Sequence, residues 1–115
     1  MTMHELSLCQ SAFDIIERQA RDSGAKRVTS VWLDIGALSC IEESALTFCF
    51  DIVCRGTLAE GCALRINTVP AQAWCWSCSR PITVTSHDAG CPHCQSHNLR
   101  VDGGDSMQIK QIEIE

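Results

Sequence analysis

Two cysteine doublets, "CWSC" and "CPHC", limit what this chain can fold into more than any other feature. Twelve residues, Ser79 to Gly90, lie between them. Each CxxC turn offers two thiolates from one tight knuckle, and two facing knuckles complete a tetrahedral all-sulfur cage. Zn2+ imposes no geometry of its own and suits that cage; iron in the same four sulfurs is the minor alternative. With Cys75, Cys78, Cys91 and Cys94 all ligating, no position stays open for water or substrate, so the site reads as structural. A redox role is the weaker reading, because no thioredoxin-like βαβ pattern surrounds either doublet. The stretch from Ala71 to Asp105 is short of aliphatic residues and rich in Cys, His, Ser and Gly. So small a piece buries too little surface to fold unaided. A structural zinc contributes roughly 10–16 kcal/mol of apparent binding free energy, which here becomes folding energy. His87, His93 and His97 read as exposed or supporting polar residues of this module rather than ligands, with Trp74 and Trp76 covering the knuckle.

On either side of the module the patterning is that of an ordinary α+β domain. Leu6, Cys9, Phe13, Ile16 and Ala20 recur in steps of three and four, one face of a helix that Gly24 stops. "VTSVWLDIG" alternates Val31, Leu33 and Ile35 and predicts a strand. Ser39 stands three before Glu42, a capping box, and Ile41, Ala45, Phe48 and Ile52 predict the buried face of a second helix that Arg55-Gly56 closes. "CALRINTV" predicts a second strand ending at Pro70. "SMQIKQIEIE" predicts a third, with Met107 and Ile109 on one parity and Ile112 and Ile114 on the other, so a bulge near Lys110-Gln111 is expected. The expected fold is two helices packed on a small three-stranded sheet with an inserted zinc-ribbon module. Its domains are residues 1–70 plus 106–115, and residues 71–105.

Several function classes fall away. A formal net charge of -5 argues against gripping nucleic acid by phosphate neutralisation. Within the module Arg80 and Arg100 face Asp88, Asp102 and Asp105, so no basic footprint forms there either. No apolar run approaches membrane-spanning length, and no basic leader opens the chain. Nine cysteines, an odd count without a secretory leader, point to metal and a reducing compartment rather than a disulfide framework. The chain reads as soluble and cytoplasmic. Cys9, Cys40, Cys49, Cys54 and Cys62 read as small buried hydrophobes. No convergent nucleophile and base appear, so the chain reads as a non-enzyme.

One stretch remains, "TMHE" at the head of the first helix. Thr2 stands three before Glu5, a second capping box, which needs no function. Yet the first N–H groups of a helix have no intrahelical partner. An amine, adjacent deprotonated backbone nitrogens and one imidazole form the planar nitrogen set that Ni(II) or Cu(II) prefers.

Met3-His4-Glu5 opening a helix, "VWLDIGALSC" leading to a second helix, "GTLAEG", and a CxxC…CxxC module followed by "IEIE" together resemble the HypA/HybF family of nickel metallochaperones, over essentially the whole chain. "HELSLCQSA", "PAQAWCW" and "LRVD" are most similar to its HybF branch. The resemblance implies transported Ni(II) bound by the His4 imidazole with backbone nitrogens of Met3 and Glu5. It also implies a structural Zn2+ on Cys75, Cys78, Cys91 and Cys94. The implied partners are a HypB-like maturation GTPase and the large subunit of a [NiFe]-hydrogenase, with no nucleic acid and no membrane. Relatives that carry histidines directly after the CxxC pairs differ here, where Ser79 and Gln95 stand. Met1 and Thr2 precede the motif; a start at Met3 would leave the family's site intact, whereas a start at Met1 followed by its removal would leave Thr2-Met3-His4, whose amine, two amidates and imidazole close around one planar ion. The exposed face of the first helix, with Glu17, Arg18 and Arg21, is the expected docking face. A zinc-ribbon adaptor without nickel is the competing reading.

Overall fold

The computed structural model describes residues 3–115. In chain order the elements are helix α1 (Met3–Asp22), strand β1 (Val28–Gly36), helix α2 (Glu43–Cys54), strands β2 (Ala63–Val69), β3 (Ala71–Cys75), β4 (Arg80–Val84), β5 (Leu99–Asp102) and β6 (Met107–Ile114). The strands form two three-stranded sheets, ordered β2-β1-β6 and β4-β3-β5. The α+β expectation of two helices, a small sheet and a cysteine module holds. The three strands inside the module carry no aliphatic alternation long enough to be read from sequence.

Backbone contacts divide the chain into two compact units. One takes the described residues up to Leu33 with Ile41–Ile66 and Ile109–Glu115; the other takes Asp34–Cys40 and Asn67–Gln108. In the first, α1 packs on α2, and Cys9, Ala12, Ile16, Ala20, Leu46, Cys49 and Phe50 are all buried. The Cys9 thiol donates to the Leu46 carbonyl at 3.4 Å, a cross-link between the helices. Gly24, at φ +72, ends α1 where the sequence places its stop, and the Ala25 N–H reaches back to the Ala20 carbonyl at 2.9 Å.

Two expectations about α2 need correction. The face Ile41, Ala45, Phe48 and Ile52 is not the buried one. Leu46, Cys49, Phe50 and Cys54 face the core, while Phe48 and Ile52 stay 55% and 39% exposed. The helix carries apolar residues on two adjoining rows, so periodicity alone does not choose between them; docking on α1 does. Nor does the Ser39–Glu42 capping box form. The helix starts at Glu43, so Glu42 is itself the N-cap, extended at φ -86 and ψ 121, and it makes no side-chain cap hydrogen bond. Ser39 lies in the turn before, its N–H on the Gly36 carbonyl at 3.0 Å.

In the second unit β3 is the central strand, antiparallel to both neighbours. Ala73 pairs with Ile82 of β4 and Val101 of β5. Ala71, Ala73, Ile82 and Val84 bury one face with Leu38, and Cys75 and Cys91 belong to the same cluster. The cage therefore sits at the end of a small apolar core. Gly36 is required here. A Cβ on it would collide with the Gly104 carbonyl group, which accepts the Leu38 N–H at 2.6 Å. In β6 Met107, Ile109 and Ile112 are half-buried while Lys110 and Gln111 are both exposed. The burial phase thus shifts at the residues where the sequence places the fault.

Candidate metal centres

The module's four thiols converge. The Sγ atoms of Cys75, Cys78, Cys91 and Cys94 all lie within 4.8 Å of one another. Cys75 and Cys94 are 3.7 Å apart, Cys78 and Cys91 3.8 Å. A regular tetrahedron with metal–sulfur bonds of about 2.3 Å has sulfur–sulfur edges of about 3.8 Å. Two opposite edges of the cage match that length, and the other sulfur–sulfur distances stay within 4.8 Å, so the donor set fits a tetrahedral ion such as zinc.

The two knuckles repeat one another. The Ser79 N–H reaches the Cys75 carbonyl at 2.8 Å, and the Gln95 N–H reaches the Cys91 carbonyl at the same 2.8 Å. Backbone N–H groups also point at sulfur: Cys78 to Cys75 Sγ and His93 to Cys91 Sγ, both at 3.4 Å. Closing each turn demands a left-handed residue directly after the second cysteine. Ser79 and Gln95 hold those places at φ 54 and φ 63, a conformation that normally favours glycine. This demand on Ser79 and Gln95 was invisible to motif reading, which marks only the cysteines. The sulfurs share their protons unequally. Burial pushes the Cys91 thiol up, but N–H groups of Cys94 and His93 and the thiols of Cys94 and Cys75 outweigh it, bringing it down to about 6. Cys78 goes the other way, to about 12, through its contact with Cys94, then desolvation, then Cys91 and Cys75.

None of the three histidines belongs to the cage. His87, His93 and His97 are exposed. His87 Nε2 donates to the Leu38 carbonyl at 3.0 Å, and with His97 it lines a cavity of about 390 Å3. Trp74 and Trp76 meet edge to face, centroids 6.3 Å apart at 73°. Trp76 is 54% exposed and Trp74 half-buried. Of the five remaining cysteines, Cys9, Cys49 and Cys54 are buried and Cys62 is half-buried. Cys40 departs from the expectation. It is exposed, at φ 60 in the turn before α2, with its sulfur 3.7 Å from His87 Nε2.

At the other centre α1 begins at Met3, so Met3, His4 and Glu5 all lie in its first turn. His4 is exposed and Glu5 is buried, at 4%. Neighbours in sequence thus have opposite surroundings. Glu5 heads the buried stripe that continues through Cys9, Ala12, Ile16 and Ala20. Its Oε1 accepts the Glu42 N–H at 3.4 Å, tying the start of α1 to the N-cap of α2. Oε2 is buried and has no hydrogen-bond partner among the described residues. The capping box of Thr2 with Glu5 falls outside the described residues. The signal for an inward Glu5 was present, since it stands four before Cys9 on the same row.

A family model described as "Hydrogenase/urease nickel incorporation, metallochaperone, hypA" matches residues 3–114. The chain belongs to the HypA/HybF family. The hydrogenase maturation factor HybF of Salmonella typhimurium strain LT2 is 62% identical over 113 residues, covering 98% of this chain and all of the relative. HybF of Escherichia coli strain K12 is likewise 62% identical over the same coverage, and that of Proteus vulgaris 61%. Among solved structures, the solution structure of the nickel metallochaperone HypA from Helicobacter pylori superposes with a TM-score of 0.68. It is 22% identical and covers 96% of each chain. A second HypA solution structure gives 0.71 at 23% identity, over 100% of this chain and 98% of that one. At those identities the structures establish that the HypA fold is shared. The family is one of metallochaperones and maturation factors. Among the described residues no helix is long and apolar enough to cross a membrane.

Proposed function

We propose that this protein carries Ni(II) at the head of α1 and delivers it to a [NiFe]-hydrogenase during maturation, while Zn2+ in the Cys75, Cys78, Cys91 and Cys94 cage holds the module in shape. The supporting observation is an exposed imidazole in the first helical turn beside a side chain locked inward. His4 is free to reach a cation. The main-chain nitrogens of Met3, His4 and Glu5 have no intrahelical acceptor there. With a terminal amine they make the planar nitrogen set that Ni(II) prefers. The helix dipole opposes a bare cation but favours the backbone anions that would hold it. The Glu5 carboxylate is engaged with Glu42 inside the protein, so Glu5 contributes its backbone nitrogen and positions the turn.

The division of labour follows residues 71–105 as the zinc module and residues 1–70 with 106–115 as the nickel-carrying part. Zinc bound by four thiolates has no open position, and what it supplies is folding energy. A HypB-like GTPase and the hydrogenase large subunit are the proposed partners, in the cytoplasm. The exposed side of α1 is the proposed docking face. Arg18 and Arg21 are exposed there, and Arg21 pairs with Glu17 at 3.4 Å.

His4→Ala should abolish nickel uptake in isothermal titration and leave helix content and zinc stoichiometry unchanged. Undiminished uptake would return the protein to a zinc-ribbon adaptor. Nickel titration of N-terminally acetylated protein asks whether the amine is a ligand, and elemental analysis separates zinc from iron.

A further inference from the structure

Apart from the cage, a second pair of cysteines lines one small cavity. Cys54 is the last residue of α2, and Cys62 directly precedes β2. The segment between them folds back on itself. The Thr57 N–H binds the Cys54 carbonyl and the Cys62 N–H binds the Ala59 carbonyl, both at 3.1 Å, and Gly56 and Gly61 are both left-handed at φ 74. This turn brings the two cysteines to one small site. They share the wall of a cavity of about 140 Å3 with Thr47, Phe50, Ala59 and Leu64.

We propose that Cys54 and Cys62 form a peroxide-responsive thiol pair that closes to a disulfide. Their unequal surroundings assign the roles. Cys62 is half-buried and the more accessible of the two, and its thiol is shifted down by Cys54 against the opposing effects of burial and Asp51, so it is the attacking sulfur. Cys54 is 2% exposed and pushed up, first by Cys62 and then by burial, Cys9 and Asp51, so it keeps its proton. Asp51 is itself paired with Arg55 at 3.0 Å. A more accessible thiol shifted toward ionisation beside a buried partner thiol is the arrangement of thiols that oxidise selectively.

The chemistry balances with hydrogen peroxide as the oxidant. The Cys62 sulfur attacks one peroxide oxygen; an S–O bond forms, the O–O bond breaks, and the departing hydroxide takes up the proton that the Cys62 thiol had released. Cys54 then loses its proton as its sulfur attacks the Cys62 sulfur. The S–S bond forms, the S–O bond breaks, and the second oxygen leaves as water with that proton. Two thiols lose two electrons, and one peroxide becomes two waters.

Metal capture at this pair is disfavoured by ligand number. Among the described residues only the four-cysteine cage brings three or more candidate ligand atoms together. Cys9 is a poor competitor, since burial, Cys49 and Glu5 push its thiol to about 12.

The test uses the full-length, zinc-loaded protein. It is treated with one equivalent of hydrogen peroxide, then denatured with a chelator and alkylated with N-ethylmaleimide. Of the nine cysteines, two should escape alkylation. Trypsin cuts after Arg55, between the pair, so a linked Cys54–Cys62 peptide is directly visible by mass spectrometry. Cys62→Ser should remove both the reaction and the linkage. Cys54→Ser should leave Cys62 as a sulfenic acid trapped by dimedone. The proposal is overturned if wild-type Cys54 stays fully alkylatable, or if the first linkage involves a cage cysteine with release of zinc.

Discussion

The cysteine-caged module and the helical unit use one residue type in opposite ways. In the module Cys75 and Cys91 are buried beside their partners and hold the fold through sulfur. In the helical unit Cys9 and Cys49 are equally buried, and Cys9 joins α1 to α2 through the Leu46 carbonyl rather than through a shared ion. Composition does not separate these fates. Spacing does: two cysteines on one knuckle point at a common centre, whereas cysteines on a helical stripe point at neighbouring side chains. The lesson is that the module converges four thiols on a site for a stabilising ion, whereas the helical unit is held by apolar packing.

Metal removal should break that comparison most strongly. Stripping the cage forfeits apparent binding energy of about 10–16 kcal/mol, more than a small domain's own stability. Amide exchange across β3, β4 and β5 should rise to the unprotected limit while α1 and α2 stay protected; equal loss in both would mean a single cooperative fold.

Next in size, Leu46→Ala should cost about 2–5 kcal/mol in chemical denaturation, as a fully buried leucine between helices does. Phe48→Ser, on the exposed row of the same helix, should cost at most about 0.5 kcal/mol. A reversal of that order would restore the face expected from periodicity.

Glu5→Ala removes the acceptor for the Glu42 N–H and should cost about 1–3 kcal/mol. Loss of stability without loss of nickel would separate its tethering role from that of His4. The smallest effect sharpens the module's side. Ser79→Gly and Gln95→Gly relieve left-handed backbone and should each stabilise the zinc-loaded protein by about 0.5–1 kcal/mol, read from thermal melts. A destabilised variant would mean that the side chain contributes more than the backbone strain costs.

Much of this was legible beforehand. The doublets announced the cage because four thiols at that spacing have few other uses, and the first helix announced itself by its stripe. The α2 face was not legible, because Phe48 and Ile52 are as apolar as the residues that were chosen for burial. Glu5 was half legible: its place four before Cys9 put it on the core row, but its charge argued for solvent. Cys40 looked like its fellow cysteines and differs only because the turn before α2 turns it outward.

By itself the amino-acid order settled which sulfurs form the cage, where α1 and the flanking strands run, and which family the chain resembles. These depend on short-range spacing, and a chain cannot hide spacing. Tertiary structure decided which row of α2 faces inward, that the Glu5 carboxylate meets the N-cap of a helix 37 residues away, and that Cys54 and Cys62 share one cavity wall. Each of these depends on segments that meet only after folding, where competing apolar rows and buried polar groups are sorted by the partner that arrives.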